Sequence, residues 1–187
     1  MCSTTRKLNI VVAACNNMGI GIDGTLPWRL KQDMAFFRKV TTVTKNTEKK
    51  NMVIMGKNTW LSIPAKFRPL SDRINVVLSS QMQNNIEGAH VVKSFDKALE
   101  LCDSLQNEVE SVFVIGGASV YKEAMQRVNP CRLYITRVHH NFICDTFFPA
   151  IDEKVFVKVP NTVDENVPQE TCEENGITFL FEVYEKL

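Results

Sequence analysis

Short β-branched runs at 8–14, 51–55, 74–78, 90–92, 111–115 and 133–138 alternate with helical patterns at 30–43, 95–105 and 119–128. Several runs are apolar on both faces, which suits central strands covered by other layers on two sides. The alternation predicts an α/β fold around a largely parallel sheet. The tail departs from it. Segments 154–159 and 177–184, the second with alternating Ile177, Phe179, Phe181 and Val183, read as two strands pairing antiparallel at a sheet edge. The stretch between them, 160–176, reads as an acidic surface loop, and 41–50 as a surface insertion. Neither is long enough for a second domain. With 187 residues against a prior of ~150 per domain, residues 1–187 are expected to form one domain.

Composition excludes several function classes. Hydrophobic residues make up 44% of the chain and charged residues 23%, ordinary globular usage that rules out a disordered or coiled-coil chain. Twenty-two basic and 21 acidic residues leave a net charge of +1, without the basic excess of a nucleic-acid binder. The short basic run Glu48-Lys49-Lys50 reads as a solvated loop. No segment approaches the ~18 apolar residues of a membrane span, and the run from Ile10 to Cys15 is too short for a signal sequence. Six scattered cysteines without a Cys-x-x-Cys pair read as reduced thiols of a cytoplasmic protein. His139-His140 near Cys144 and Asp145 matches no zinc spacing, so no metal is expected.

Three glycine motifs bear on ligands. Gly19-Ile20-Gly21-Ile22-Asp23-Gly24 has the spacing of a dinucleotide fingerprint. That fingerprint needs a helix to open at the glycines, and Pro27 holds Leu26 extended. A mobile loop able to cover a ligand fits better. Gly56-Lys57-Asn58-Thr59 resembles the end of a P-loop, but Asn51 occupies the upstream glycine position and Asn58 the Ser/Thr position. What survives is a strand, a glycine and a helical turn offering N–H groups and a cation to an anion. Gly116-Gly117 follows the apolar strand and precedes a helix start at Ala118-Ser119-Val120-Tyr121. It reads either as a tight turn or as a close approach for a phosphate. Two such junctions in one small sheet favour a dinucleotide laid across the strand ends.

The sharpest single residue is Asp33. On a helical wheel of 30–43, Leu30, Phe36, Phe37 and Val40 fall within ~60° of it, while Lys31, Arg38 and Lys39 fall on the far side. A carboxyl in the middle of an apolar stripe is either a first-turn charge serving the helix dipole or a functional acid whose pKa burial raises. Arg73, opening the strand 74–78, is either an ordinary strand-edge arginine or a carboxylate clamp.

The ordered motifs of the whole chain resemble the dihydrofolate reductase family. They are Asn17-Met18-Gly19-Ile20-Gly21, Leu26-Pro27-Trp28, Val53-Ile54-Met55-Gly56-Lys57 with Thr59-Trp60, and Ser62-Ile63-Pro64. Arg68-Pro69-Leu70 with Arg73-Ile74-Asn75, Ile115-Gly116-Gly117 with Val120-Tyr121, Ile135-Thr136-Arg137, Asp145-Thr146-Phe147-Phe148-Pro149 and Phe181-Glu182-Val183-Tyr184 complete them. The insertions and the ending look like the animal form. Two features depart from it: Trp28-Arg29-Leu30 is one residue short, and Asp33 stands where the animal form has Glu, a departure that looks bacterial and implies a somewhat altered pterin site.

The resemblance implies a mixed, mostly parallel eight-stranded sheet flanked by four helices, with an antiparallel C-terminal strand. It implies NADPH-dependent reduction of 7,8-dihydrofolate to tetrahydrofolate, with hydride added at C6 and a proton at N5, and a place in one-carbon metabolism. It makes Asp33, Trp28 and Thr136 the catalytic set. Substrate falls to Val11, Val12, Asp33, Phe37, Thr59, Ile63, Leu70, Arg73, Ile115 and Tyr121, with Val11 and Ile115 offering carbonyls. Cofactor falls to Ala13, Ile20, Gly56, Lys57, Asn58, Thr59, Leu78, Ser79, Ser80, Lys93, Gly116, Gly117, Ala118, Ser119, Val120 and Tyr121. Residues 17–28 become a lid. Ser80 replaces an arginine usual in the animal form near the 2′-phosphate, which leaves Lys57 and Lys93 as the cations there. The implied partners are dihydrofolate and antifolate inhibitors, and the implied state is a monomer. Two other classes stand beside this reading: a related pterin or pyrimidine reductase, which the Asp33–Arg73 pair disfavours, and a non-catalytic folate-binding module.

Overall fold

The computed structural model describes residues 6–82 and 85–187; Cys2 lies outside them. In chain order the elements are β1 (Leu8–Ala14), β2 (Gly19–Gly21), α1 (Lys31–Thr42), β3 (Lys50–Gly56), α2 (Lys57–Ser62), β4 (Arg73–Leu78), β5 (Asn85–Ile86) and β6 (Ala89–Val92). There follow α3 (Phe95–Ser104), β7 (Val109–Val114), α4 (Ala118–Gln126), β8 (Cys131–His139), β9 (Thr146–Phe147), β10 (Phe156–Val159), β11 (Cys172–Glu174) and β12 (Ile177–Lys186).

The main sheet runs β10-β12-β8-β1-β7-β3-β4-β6-β5, with β11 attached to β12. The centre, from β8 through β1, β7, β3 and β4 to β6, is parallel throughout. β12 lies antiparallel to β8, and β10 antiparallel to β12. The expected eight-stranded mixed sheet is therefore present, and the short strands β5 and β11 extend it.

The two-sided apolar runs explain the layering. Leu8, Ile10 and Val12 of β1 join Met52, Ile54, Val112 and Val114 in one core, which α3 covers with Phe95, Ala98 and Cys102 and α4 with Val120 and Ala124. Val11, Val53, Met55 and Phe113 point to the opposite core, covered by Leu30, Phe36 and Val40 of the α1 segment and by Trp60 of α2. α3 begins on a side-chain cap, with Ser94 Oγ accepting from Lys97 N at 3.2 Å.

Two loop readings are corrected. The insertion read at 41–50 is shorter, because Thr41 is a buried residue of α1 and Lys50 opens β3. Its centre is pinned by the Glu110 carboxylate, which accepts from Lys45 N and Asn46 N at 2.8 Å each. The loop read at 160–176 holds a 3-10 turn at Asn161–Val163, a buried Val167 and the strand β11. At the first glycine motif no helix opens. Gly19–Gly21 is a short strand paired with β9, and a Cβ on Gly19 would lie 2.4 Å from Cys144 Sγ. Close packing is what requires glycine there. Among the described residues no helix is long and apolar enough to cross a membrane.

Candidate active site

Most of the residues singled out from the sequence gather at the C-terminal ends of the parallel strands, where open α/β sheets bind ligands. Val11, Val12 and Ala13 lie in β1, and Thr136 is the register partner of Ala13 on β8. Ile115, Gly116 and Gly117 follow β7, Gly56 ends β3, and Leu78 ends β4. Trp28 is buried at the end of the 17–28 segment. Ile20 lies in β2.

Asp33 sits in the first turn of α1, 9% exposed, with Leu30, Phe36 and Val40 buried along the same stripe. Thr136 Oγ1, 1% exposed, donates to Asp33 Oδ1 at 2.6 Å. Burial pushes the Asp33 carboxyl up to about 6, the Thr136 hydrogen bond pulls against that rise, and the Glu174 charge adds to it. Burial, and after it the Asp33 charge, push the Tyr121 hydroxyl well above its ordinary pKa, so it stays protonated and donates to Val11 O at 2.8 Å. The Trp28 indole Nε1 is buried with no protein acceptor among the described residues. Phe37, one helical turn after Asp33, is half-buried, and Phe36 is buried with its ring 4.4 Å from that of Phe181.

The two strand–glycine–helix junctions are neighbours. Gly56 N donates to Gly116 O at 2.8 Å, so the starts of α2 and α4 stand side by side. Neither helix has a side-chain cap on its first turn. A Cβ on Gly116, whose φ is 129°, would meet Thr59 Oγ1 at 3.2 Å and the Tyr121 hydroxyl at 3.4 Å. Glycine is required there because Thr59 and Tyr121 close on it; the junction lies between Lys57, Asn58 and Thr59 on one side and Ala118, Ser119, Val120 and Tyr121 on the other. Gly56, Leu78 and Val92 are in register across β3, β4 and β6, and Ser79 N donates to Val92 O at 2.9 Å. This row brings Lys57, Ser79, Ser80 and Lys93 to one rim. Uncapped N–H groups, paired glycines and two cations fit a phosphate-bearing dinucleotide.

Arg73 stands away from Asp33, at the start of β4. Its Nε donates to Ser71 O at 2.8 Å and its Nη1 to Thr41 Oγ1 at 3.0 Å. Partial burial and neighbouring Arg38 both work against its charge. Two of the five guanidinium donors are thereby fixed, and the rest stay available. Ile63 and Leu70, both half-buried on the segments after α2, lie between the two ends of the site in sequence and pack against the Trp28 core.

A family model described as dihydrofolate reductase matches residues 7–186. The chain is 49% identical to the dihydrofolate reductase of Gallus gallus over 97% of each protein. This chain belongs to the dihydrofolate reductase family. It is 44% identical to the Heliothis virescens dihydrofolate reductase, covering 97% of this chain and 98% of that one. It is 47% identical to a viral dihydrofolate reductase of Saimiriine herpesvirus 2, covering 96% and 85%. A solved Schistosoma mansoni dihydrofolate reductase superposes with a TM-score of 0.86 at 42% identity, over 97% and 99% of the two chains. As a member of the dihydrofolate reductase family the chain is an oxidoreductase, and the family works with a nicotinamide cofactor.

Two residues that bear on the candidate site, Thr41 and Glu174, do not stand out in the sequence. Thr41, which orients Arg73, is a buried residue of α1 rather than the edge of an insertion. On the same wheel Thr41 falls ~80° from Asp33, at the border of the apolar stripe, which marks it as inward-facing but does not point to Arg73. Glu174, whose charge reaches Asp33, had no local signal at all.

Proposed function

We propose that this chain is a monomeric cytoplasmic enzyme that reduces 7,8-dihydrofolate to 5,6,7,8-tetrahydrofolate with NADPH, supplying one-carbon metabolism. The observation that carries the reading is the buried Asp33 carboxyl, hydrogen-bonded by Thr136 at 2.6 Å among apolar neighbours. A desolvated carboxylate is retained there to meet a cationic or amidine-like ligand edge.

In this reading Asp33 binds the 2-amino group and N3 of the pterin. N5 lies across the ring, so its proton arrives from water, and Asp33 acts by favouring the protonated form electrostatically. Thr136 holds the carboxylate in place. Trp28 offers its free indole N–H in the same pocket. Phe37 stacks on the pterin and benzoyl rings. Val11 O, which already accepts Tyr121, and Ile115 O face the 4-position, with Val12 alongside and Thr59 bordering the ring. Ile63 and Leu70 wall the benzoyl group, and Arg73 clamps the glutamate carboxylate bidentately. Antifolate inhibitors take the same carboxylate.

NADPH, when bound, supplies the hydride accepted at C6. The chain's part is to hold it across the strand ends. Ala13, Ile20, Gly56, Gly116 and Gly117 form the floor and approach, Lys57, Asn58 and Thr59 with Ala118, Ser119, Val120 and Tyr121 form the sides, and Leu78, Ser79, Ser80 and Lys93 form the rim. Lys57 and Lys93 carry the 2′-phosphate in place of an arginine at Ser80. Residues 17–28 close over the site.

Mixing the protein with dihydrofolate and NADPH, then separately with NADH, and following absorbance at the nicotinamide band tests this. Rapid loss with NADPH and slower loss with NADH is expected. No loss with either cofactor would leave a folate-binding module, and loss with other pterins but not dihydrofolate a related reductase.

A further inference from the structure

The route from Trp28 into α1 consists of Arg29 and Leu30, and neither side chain has an oxygen with which to cap a helix. Leu30 is extended, and no local side chain caps the first turn. The cap comes from the other end of the chain. Glu174 Oε1 accepts from Lys31 N at 2.8 Å, and Glu174 Oε2 accepts from Gln32 N at 3.2 Å. Asn175 Nδ2, next in sequence, donates to Arg29 O at 3.3 Å. The turn between β11 and β12 therefore grips the backbone on both sides of Leu30, immediately before Asp33.

The same hairpin also holds the acid's partner. Glu174 pairs with Ile177 across the turn, and farther along β12 Phe181 is the register partner of Thr136 on β8. Both ends of the Asp33–Thr136 hydrogen bond thus hang on one C-terminal hairpin. We propose that Glu174 is a positioning residue for Asp33: its carboxylate seats the first turn of α1 so that the acid meets Thr136 and carries a stronger negative potential into the pocket.

The charges around Asp33 agree. From β8 it faces the Thr136 hydroxyl, from α4 the Tyr121 hydroxyl, and from the hairpin turn Glu174; Lys31, on α1 itself, interacts with Glu174. The N–H groups of Lys31 and Gln32 in turn hold the Glu174 carboxyl below its usual range, so Glu174 is charged throughout the range in which Asp33 titrates. A carboxylate at a helix N-terminus is favourable for the dipole, so the cap and the field act together.

The proposal rests on the reductase reading for its catalytic consequence but not for its geometry, and the test separates the two. The Asp33 carboxyl is titrated by ¹³C NMR in the parent, Glu174→Gln and Glu174→Ala proteins without substrate. Single-turnover reduction of dihydrofolate is then followed across pH for all three. In Glu174→Gln, which keeps an oxygen acceptor, the Asp33 titration should move to lower pH by a few tenths of a unit. That difference should shrink in about 0.5 M salt, because an exposed charge is screened. Glu174→Ala loses the seat as well as the charge; a weakened Thr136 bond raises Asp33, so its titration should lie above that of Glu174→Gln, and turnover at pH 7 should slow about tenfold with NADPH affinity unchanged. Superimposable Asp33 titrations in all three proteins would overturn the proposal. So would a Glu174→Ala protein that loses thermal stability but keeps the parent's titration and pH profile, since a plain helix cap behaves that way. A parent that reduces no dihydrofolate would defeat the reductase reading alone, and the titrations would still decide the role of Glu174.

Discussion

Asp33 and Thr136, on α1 and β8, meet through a 2.6 Å hydrogen bond in which the hydroxyl donates to the carboxylate. The bond joins a helix start to a central strand across an apolar core. It opposes the rise in carboxyl pKa that burial imposes.

That rise makes Asp33 a stability liability at neutral pH. Its folded-state pKa, about 6, stands above the ordinary 3.8. The folded form therefore binds the proton more tightly than the unfolded one, and the associated stability is present below pH 4 and lost as pH rises through 6. Two units correspond to about 3 kcal/mol. Asp33→Asn should unfold at higher temperature than the parent at pH 7.5, with the gap closing toward pH 4. Calorimetry at the two pH values checks it. A constant gap would mean that the carboxyl titrates normally.

Removing the Thr136 hydroxyl should push the Asp33 titration further up, because that bond opposes the effect of burial. A hydrogen bond to a charged group is worth about 1.5–3 kcal/mol, and one pH unit about 1.4. Thr136→Val should therefore move the Asp33 titration upward by about a unit or more. The mutant carboxyl would then be half protonated or more at pH 7, and binding of dihydrofolate there should weaken. Binding measured at pH 6 and pH 8.5 reads this directly. Unchanged affinity at both would place the pterin away from the Asp33–Thr136 pair.

The sheet was legible because strands buried on two faces carry an unbroken apolar run, as Val53, Ile54 and Met55 do. Asp33 was legible because a helix of known period shows its apolar stripe without any tertiary knowledge. Glu174 was not. Its meaning lies in backbone N–H groups 143 and 142 positions away, and no local pattern encodes that separation. Thr41 lay between. Its place on the wheel was readable, but its bond to Arg73, 32 positions on, depends on how α1 lies across the start of β4.

Arg73 is expected to hold the substrate's carboxylate, since Ser71 O and Thr41 Oγ1 fix its orientation and leave donors free. Losing one partner of a hydrogen-bonded charge pair costs about 2–5 kcal/mol. Arg73→Leu should raise the dihydrofolate KM by orders of magnitude while NADPH binding stays near the parent's. Equal dihydrofolate binding by both proteins would leave Arg73 a strand-edge residue. Thr41→Val should reproduce part of the defect.

Ser80 lies on the rim that β3, β4 and β6 bring together with Lys57 and Lys93. Ser80→Arg should tighten NADPH by roughly tenfold, a single charge-assisted contact, and leave NADH unchanged. Fluorescence titration with both cofactors decides it. A gain for both, or for neither, would put the 2′-phosphate elsewhere.

The central claim is that the Asp33 charge makes reduction possible at neutral pH. Asp33→Asn keeps the shape and removes the charge, and a contact of this kind is worth about 3–4 kcal/mol, or ~10²–10³ in rate. The most direct measurement is the single-turnover rate of dihydrofolate reduction across pH, for parent and Asp33→Asn, with unlabelled and deuterated NADPH. The mutant should be slow at pH 7, recover as acid protonates the substrate in its place, and show the larger isotope effect. A mutant that runs parallel to the parent at every pH, or is fully active at pH 7, would show that Asp33 serves only the start of its helix.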